Sequence, residues 1–185
     1  MTLLQLLDRY TPFDENETAM VAQLRDFLLS LPEVADAFGR DLAGVAPHWG
    51  HVTGSCWIVN QDDTRVVLVH HAKLGRWVQP GGHCDDEGYV LAVALREARE
   101  ETGLEVSSVS PAIFDVDVHP IPEYWNTPAH LHYDVRFLLR AYDTHSPVVS
   151  AESRAVRWVS MDEAEELSGS ESVARMVKKT RQRQQ

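Results

Sequence analysis

The stretch from Gly82 to Leu104 constrains this chain more than any other. It opens Gly82-His83-Cys84-Asp85-Asp86-Glu87-Gly88 and closes Arg96-Glu97-Ala98-Arg99-Glu100-Glu101-Thr102-Gly103-Leu104. Pro80-Gly81-Gly82 breaks the chain ahead of a predicted helix over residues 89–102. On such a helix Glu97, Glu100 and Glu101 stand at i, i+3 and i+4, so three carboxylates share one face. Leu91, Leu95, Ala98 and Thr102 form a separate, mostly apolar face suited to packing on a sheet, and Gly103 suits a left-handed cap. An acidic helix face taken alone is usually just solvated. Here a glycine turn precedes it, a strand pair lies before that turn, and a Gly-Leu stop leads into another strand. Carboxylates this close repel unless cations join them, and hard oxygen donors at this density suit Mg²⁺ or Mn²⁺.

The flanks have a definite texture. The first 45 or so residues read as helical: Asp14 and Glu17 form a candidate capping box, followed by Met20, Val21, Leu24, Phe27, Leu28 and Leu31 at helical spacing. Pro32 ends that helix, residues 33–38 read as a further short one, and residues 39–50 as a linker with three glycines and Pro47. Strands follow at 52–60 and 65–71, joined as a hairpin through Gln61-Asp62-Asp63, then near 113–118, 130–142 and 155–159. Helices at 161–167 and 172–181 complete the chain, whose basic, Gln-rich end reads as a fraying terminus. The expected organisation is a helical extension over 1–45 and one domain over 46–185.

The acidic segment resembles the Nudix box, Gly-x5-Glu-x7-Arg-Glu-U-x-Glu-Glu-x-Gly-U, where U is a bulky apolar residue. Gly82, Arg96, Glu97, Glu100, Glu101, Gly103 and Leu104 match at the required spacing. Two positions depart: the first glutamate of the box falls on Gly88, with Glu87 one place early, and Ala98 is small. The resemblance implies an α/β (α+β) fold of the Nudix α/β/α type, with a mixed sheet between helices. It implies that Glu100 and Glu101 are the main metal ligands, with the Gly82 carbonyl a third contact. Glu97 is then a ligand or the base that activates water, and Arg96 holds the glutamates in place. Many members add a carboxylate from a loop outside the box, and Glu152 is the candidate for it here. The expected cofactor is Mg²⁺ or Mn²⁺, and the expected reaction is hydrolysis of a diphosphate linkage in a nucleotide or nucleoside diphosphate derivative.

The histidines are a second signal. The chain has nine. His130 and His132 alternate on one predicted strand and so share a face, His83 follows Gly82, and His51 opens the first strand. Imidazoles suit Zn, Mn or Fe, so this set reads as a second metal or substrate site, although each alone would more often be a hydrogen-bonded structural residue. The pattern is similar to isopentenyl diphosphate isomerase at His51 and Gly81-Gly82-His83, with His130 and His132 where that family carries a carboxylate pair. Gly81 replaces the isomerase cysteine, which argues against isomerase chemistry. Further substrate contacts are expected from Lys73 and Arg76 in a hairpin loop, and from Tyr124 or Trp125 in the loop that His119-Pro120-Ile121-Pro122 begins. Trp77 and Trp158 are read as sheet-packing residues.

Composition limits the alternatives. A net charge of −11 disfavours general nucleic-acid or anionic-membrane binding, though a bound cation can reverse the local field for a phosphate substrate. Two cysteines, Cys56 and Cys84, allow one disulfide but not a disulfide framework. No apolar run approaches a membrane span, which makes a cytoplasmic enzyme the default. Leu3, Leu4, Leu6 and Leu7 suit either a homodimer contact or packing on their own domain. The competing readings are a diphosphate isomerase and a non-catalytic Nudix-fold binding module.

Overall fold

The computed structural model describes residues 1–30, 50–84, 89–123 and 128–184. The short helix expected at 33–38, most of the linker, Asp85 to Gly88 of the acidic segment, and Tyr124 and Trp125 lie outside the described residues. In chain order the elements are α1 (Leu3–Leu7), α2 (Glu15–Ser30), β1 (Gly50–Val59), β2 (Arg65–His71), β3 (Trp77–Val78), β4 (Gly81–His83), α3 (Val90–Thr102), β5 (Ser107–Ser108), β6 (Asp115–Ile121), β7 (His130–Arg140), β8 (Ser153–Ser160), α4 (Met161–Ser168) and α5 (Glu171–Arg183).

One mixed sheet contains all the described strands. Its axis is the parallel pair β1 and β7, in unbroken register from Gly50↔Leu131 to Val59↔Arg140. All other pairings are antiparallel: β2 and β4 on β1, β5 and β6 on β7, and β3 and β8 on β2. Alternation along β1 sends Val52, Cys56 and Ile58 into a core shared with α2 and α3, and Trp57 and Val59 into a second core shared with α4 and α5. The sheet therefore lies between two helical layers, as the sequence led one to expect.

Several boundaries differ from the sequence reading, each for a physical reason. The 52–60/65–71 hairpin closes only beside its turn, at Val59↔Val66, because β4 and the Pro80 carbonyl take over the same edge of β1 further down. Freed there, β2 runs instead along β8. β6 starts at Asp115 and continues through His119, Pro120 and Ile121, which the sequence assigned to a loop. A proline fits because β6, among the described strands, is an edge strand paired to β7 alone. The C-terminal end is pinned and not frayed: Gln184 donates to the carbonyls of Asp62 and Asp63, and Lys179 is buried. Trp77 stacks on His70 and under the Arg157 guanidinium, whereas Trp158 donates its indole N–H to the His145 carbonyl.

The N-terminal helices share the domain's core. Met20, Leu24 and Phe27 recur on one face of α2 and are buried, with Phe27 stacked on Tyr133 of β7 at 4.3 Å. Leu6 and Leu7 of α1 join the same core. Asp14 caps α2 through the Glu17 N–H, but the Glu17 side chain goes elsewhere than a capping box would take it. It accepts from the Phe13 N–H, the Val116 N–H, Tyr10 and Lys179.

Candidate active site

The acidic helix α3 begins at Val90 and ends at Gly103, whose φ of 65° provides the left-handed cap. Leu91, Val93, Ala94 and Ala98 anchor it on the sheet, beside Gly54 of β1, where a β-carbon would press on Val90 and Val93. This docking presents Glu101 to the Gly81 N–H and Glu97 to Gly82. Glu101 is almost fully buried and accepts a hydrogen bond from the Gly81 N–H at 2.7 Å. Burial raises its pKa, the Gly81 hydrogen bond opposes this, and the charges of Glu97, Glu152 and Glu100 raise it again, to about 7. Glu97 is partly buried against Gly82, and Glu100 is largely exposed.

Arg96 pairs with Glu97 at 3.0 Å and Glu100 at 3.8 Å, and its guanidinium also donates to the His83 carbonyl at 3.2 Å. It is partly exposed, so its value is orientation more than stability. Glu152 sits in the turn just before β8, where its carbonyl accepts from the Ala72 N–H, and its charge reaches Glu101. Lys73 and Arg76 are exposed on the neighbouring β2–β3 turn. Cys56 and Cys84 are buried and not joined in a disulfide, and the Cys56 thiol is pushed well up by burial first, then by Glu101, Glu97 and Asp134.

The two glycines have different duties. A β-carbon on Gly81 would overlap Ser55 Oγ and lie 2.8 Å from Ser55 Cα, so the clash involves the β1 backbone. On Gly82 the nearest atoms a β-carbon would meet belong to the Glu97 carboxylate, a side-chain terminus, with Oε2 at 2.9 Å. Gly81→Ala is therefore expected to cost stability, about 1–3 kcal/mol as overpacking does. Gly82→Ala is expected to melt within about 1 kcal/mol of wild type while displacing Glu97 and lowering turnover. Melting curves and turnover of both variants test this; equal stability losses would remove the distinction.

The histidines converge. His51 and His132 are in register on β1 and β7, His119 and His132 on β6 and β7, and His83 faces Thr53, two residues on from His51. Four adjacent strands thus place His83, His51, His132, His130 and His119 on one face of the sheet. Ring centroids lie 4.7 Å apart for His51 and His132, 4.8 Å for His51 and His83, and 5.2 Å for His130 and His132. His119 lies 5.5 Å from His132, and sequence reasoning missed it by assigning it to a loop. Ring nitrogens of His51, His83 and His132 all fall within 4.8 Å of one another. Burial, then the neighbouring histidines, lowers the His132 pKa to about 2, so its ring is neutral.

Beyond the histidines the same face carries a buried charge network that sequence reasoning also missed. Asp134 accepts from Thr53, Ser55, Gln79 and Arg136, and Arg136 reaches Asp115 and Asp117. From α5, Arg175 binds Asp115 and Asp117, and Lys179 binds Asp115 and Glu17.

The acidic helix on a sandwiched mixed sheet defines the class of fold, and comparison with known proteins gives its family. The NUDIX domain family model matches residues 50–180. The chain belongs to the NUDIX family. It is 30% identical over 129 residues to the CMP-5'-(N-acetyl-N-hydroxy-3-aminopropyl)phosphonate hydrolase of Streptomyces rubellomurinus, a match covering 66% of this chain and 59% of that one. The match therefore spans under two thirds of that relative's length. A NUDIX-family hydrolase from Clostridium perfringens superposes with a TM-score of 0.53 at 19% identity, covering 71% of this chain and 96% of the other. The Ap4A hydrolase of C. elegans, in a binary complex, gives 0.52 at 13% identity, covering 71% and 95%. No described helix is long and apolar enough to cross a membrane.

Proposed function

We propose that the protein is a divalent-metal-dependent pyrophosphohydrolase, cleaving a diphosphate linkage in a nucleotide or a nucleoside diphosphate joined to another group. The observation that carries this reading is the approach of Glu97 and a buried Glu101 to the Gly81-Gly82 backbone, with Glu100 one helical step away and close enough for its charge to act on Glu101. A carboxyl held near pH 7 by burial and three acidic neighbours is a donor set that a hard cation completes. Glu100 and Glu101 would hold Mg²⁺ or Mn²⁺, with the Gly82 carbonyl beside them.

Such a cation neutralises the diphosphate oxygens, acidifies water and stabilises the leaving phosphate. The chain's own groups do the rest. Glu97, steadied by Arg96, or Glu152 from the β8 side accepts the proton of the attacking water as its oxygen bonds to phosphorus. The bridging P–O bond then breaks and the leaving phosphate keeps that oxygen. Lys73 and Arg76, on the turn next to Glu152, would meet the outgoing phosphate. The name of the Streptomyces rubellomurinus relative specifies a CMP-linked phosphonate, which supports a nucleotide half in the substrate.

The test is release of phosphate and nucleotide from a panel of diphosphate compounds with Mg²⁺ and Mn²⁺, run beside Glu100→Gln. Turnover lost in the variant is the expected result, and the best substrate names the leaving group. A folded, metal-supplied protein inert across the panel would overturn the hydrolase reading.

A further inference from the structure

We propose that His51, His83 and His132 bind one zinc-class divalent cation at a centre separate from the carboxylates, with an open coordination position that takes an anionic oxygen. The inference goes beyond the hydrolase reading and does not depend on it. It rests on how four strands converge. β4, β1, β7 and β6 each contribute at least one imidazole to the same patch of one sheet face, and three of those rings bring nitrogens within 4.8 Å of one another. Zinc held by nitrogen ligands at about 2.0–2.1 Å needs its tetrahedral donors a little over 3 Å apart, so a small adjustment of side-chain torsions closes the set. Nitrogen donors select zinc-like cations over Mg²⁺, which prefers the all-oxygen cluster on α3.

The two centres lie on opposite sides of β4. Gly82 turns toward Glu97, and the next residue, His83, turns to the histidine face. Arg96 links them, holding Glu97 with one contact and the His83 carbonyl with another.

The remaining two histidines shape the surroundings. His130 Nδ1 lies 2.8 Å from the Pro128 carbonyl, an acceptor only, so Nδ1 carries the proton and Nε2 keeps the lone pair. His119 Nδ1 lies 3.2 Å from the Asp117 carboxylate, which fixes the same tautomer. Three protein ligands leave a tetrahedral ion one position short, the arrangement of sites that bind water or substrate. His83 is exposed, so that position is reachable from solvent.

The test uses the full chain, loaded with one equivalent of Zn²⁺ and dialysed against millimolar Mg²⁺, with bound zinc measured by elemental analysis. Wild type and Glu100→Gln are expected to keep about one zinc per chain, and His132→Asn and His83→Gln to bind at least tenfold more weakly. His83 is exposed, so its variant folds even where His132→Asn does not. Co²⁺ in place of Zn²⁺ should give the strong visible bands of a tetrahedral site, and inorganic phosphate should shift them in both wild type and Glu100→Gln. Zinc kept equally by the histidine variants, or lost in Glu100→Gln, would overturn the site. Cobalt bands that ignore phosphate would overturn the open position.

Discussion

Glu101→Gln should lower kcat/KM by about 10²–10³-fold, equivalent to roughly 3–4 kcal/mol of transition-state stabilisation, and leave the fold intact. Glutamine has the same shape and still offers an oxygen to the Gly81 N–H, so the contact that ties α3 to β4 survives. The lost feature is charge. The Glu101 carboxyl is buried among Glu97, Glu100 and Glu152, and in the absence of a cation these together hold it near pH 7. Removing one anion from that group relieves repulsion, so the variant should melt at or slightly above the wild-type temperature. Its Mn²⁺ affinity, read by titration, should fall in step with turnover. A variant with normal turnover would place Glu101 outside the reaction; one that fails to fold would make it a structural anchor for β4.

That prediction concerns the part of the molecule that was most legible in sequence. The box is contiguous, so the spacing of Glu97, Glu100 and Glu101 and the cap at Gly103 could be read from local rules alone. Convergence across strands was harder. His51, His130, His132 and His83 stood out by residue type, but register made them one cluster, and no local pattern supplies the parallel alignment of β1 with β7. His119 was lost for a local reason, since flanking prolines signal a loop, whereas an edge strand tolerates Pro120.

The charge network was illegible for a different reason. Asp115, Asp117, Asp134 and Arg136 alternate along strands as a solvated face would, yet Asp115, Asp134 and Arg136 are buried, with Arg175 and Lys179 folding back from α5 onto Asp115. Glu17 looked like half of a capping box because its buried partners are remote in sequence.

Lys179→Met tests how much that network holds the molecule together. The Lys179 ammonium donates to Glu17 and Asp115, both at 2.6 Å, to Tyr10 at 2.8 Å and to the Phe114 carbonyl at 3.0 Å. It ties α2, α5 and β6 in one contact. Breaking a buried pair from one side strands a charge and costs about 3–5 kcal/mol. For a chain of this size that corresponds to a melting-temperature drop of roughly 6–20 °C.

The pH dependence has a definite sign. Burial alone would raise the Asp115 and Asp117 pKa values. Hydrogen bonds from Arg175 and the charge of Arg136 at both carboxyls, the Lys179 charge at Asp115 and the His119 hydrogen bond at Asp117 outweigh it and lower both. Depressed carboxyls contribute stability that is present above the unfolded value of about 4 and lost as pH falls through the folded values. Losing Lys179 lets the Asp115 pKa rise, so acid unfolding of the variant should begin at higher pH than in wild type. Adding Glu17→Gln removes one of the two stranded carboxylates and should recover part of the loss, the non-additivity expected of partners in one network. Denaturant melts of both single variants and the double variant decide the matter: a Lys179→Met protein within 1 kcal/mol of wild type would mean that water, not buried charge, fills that part of the fold.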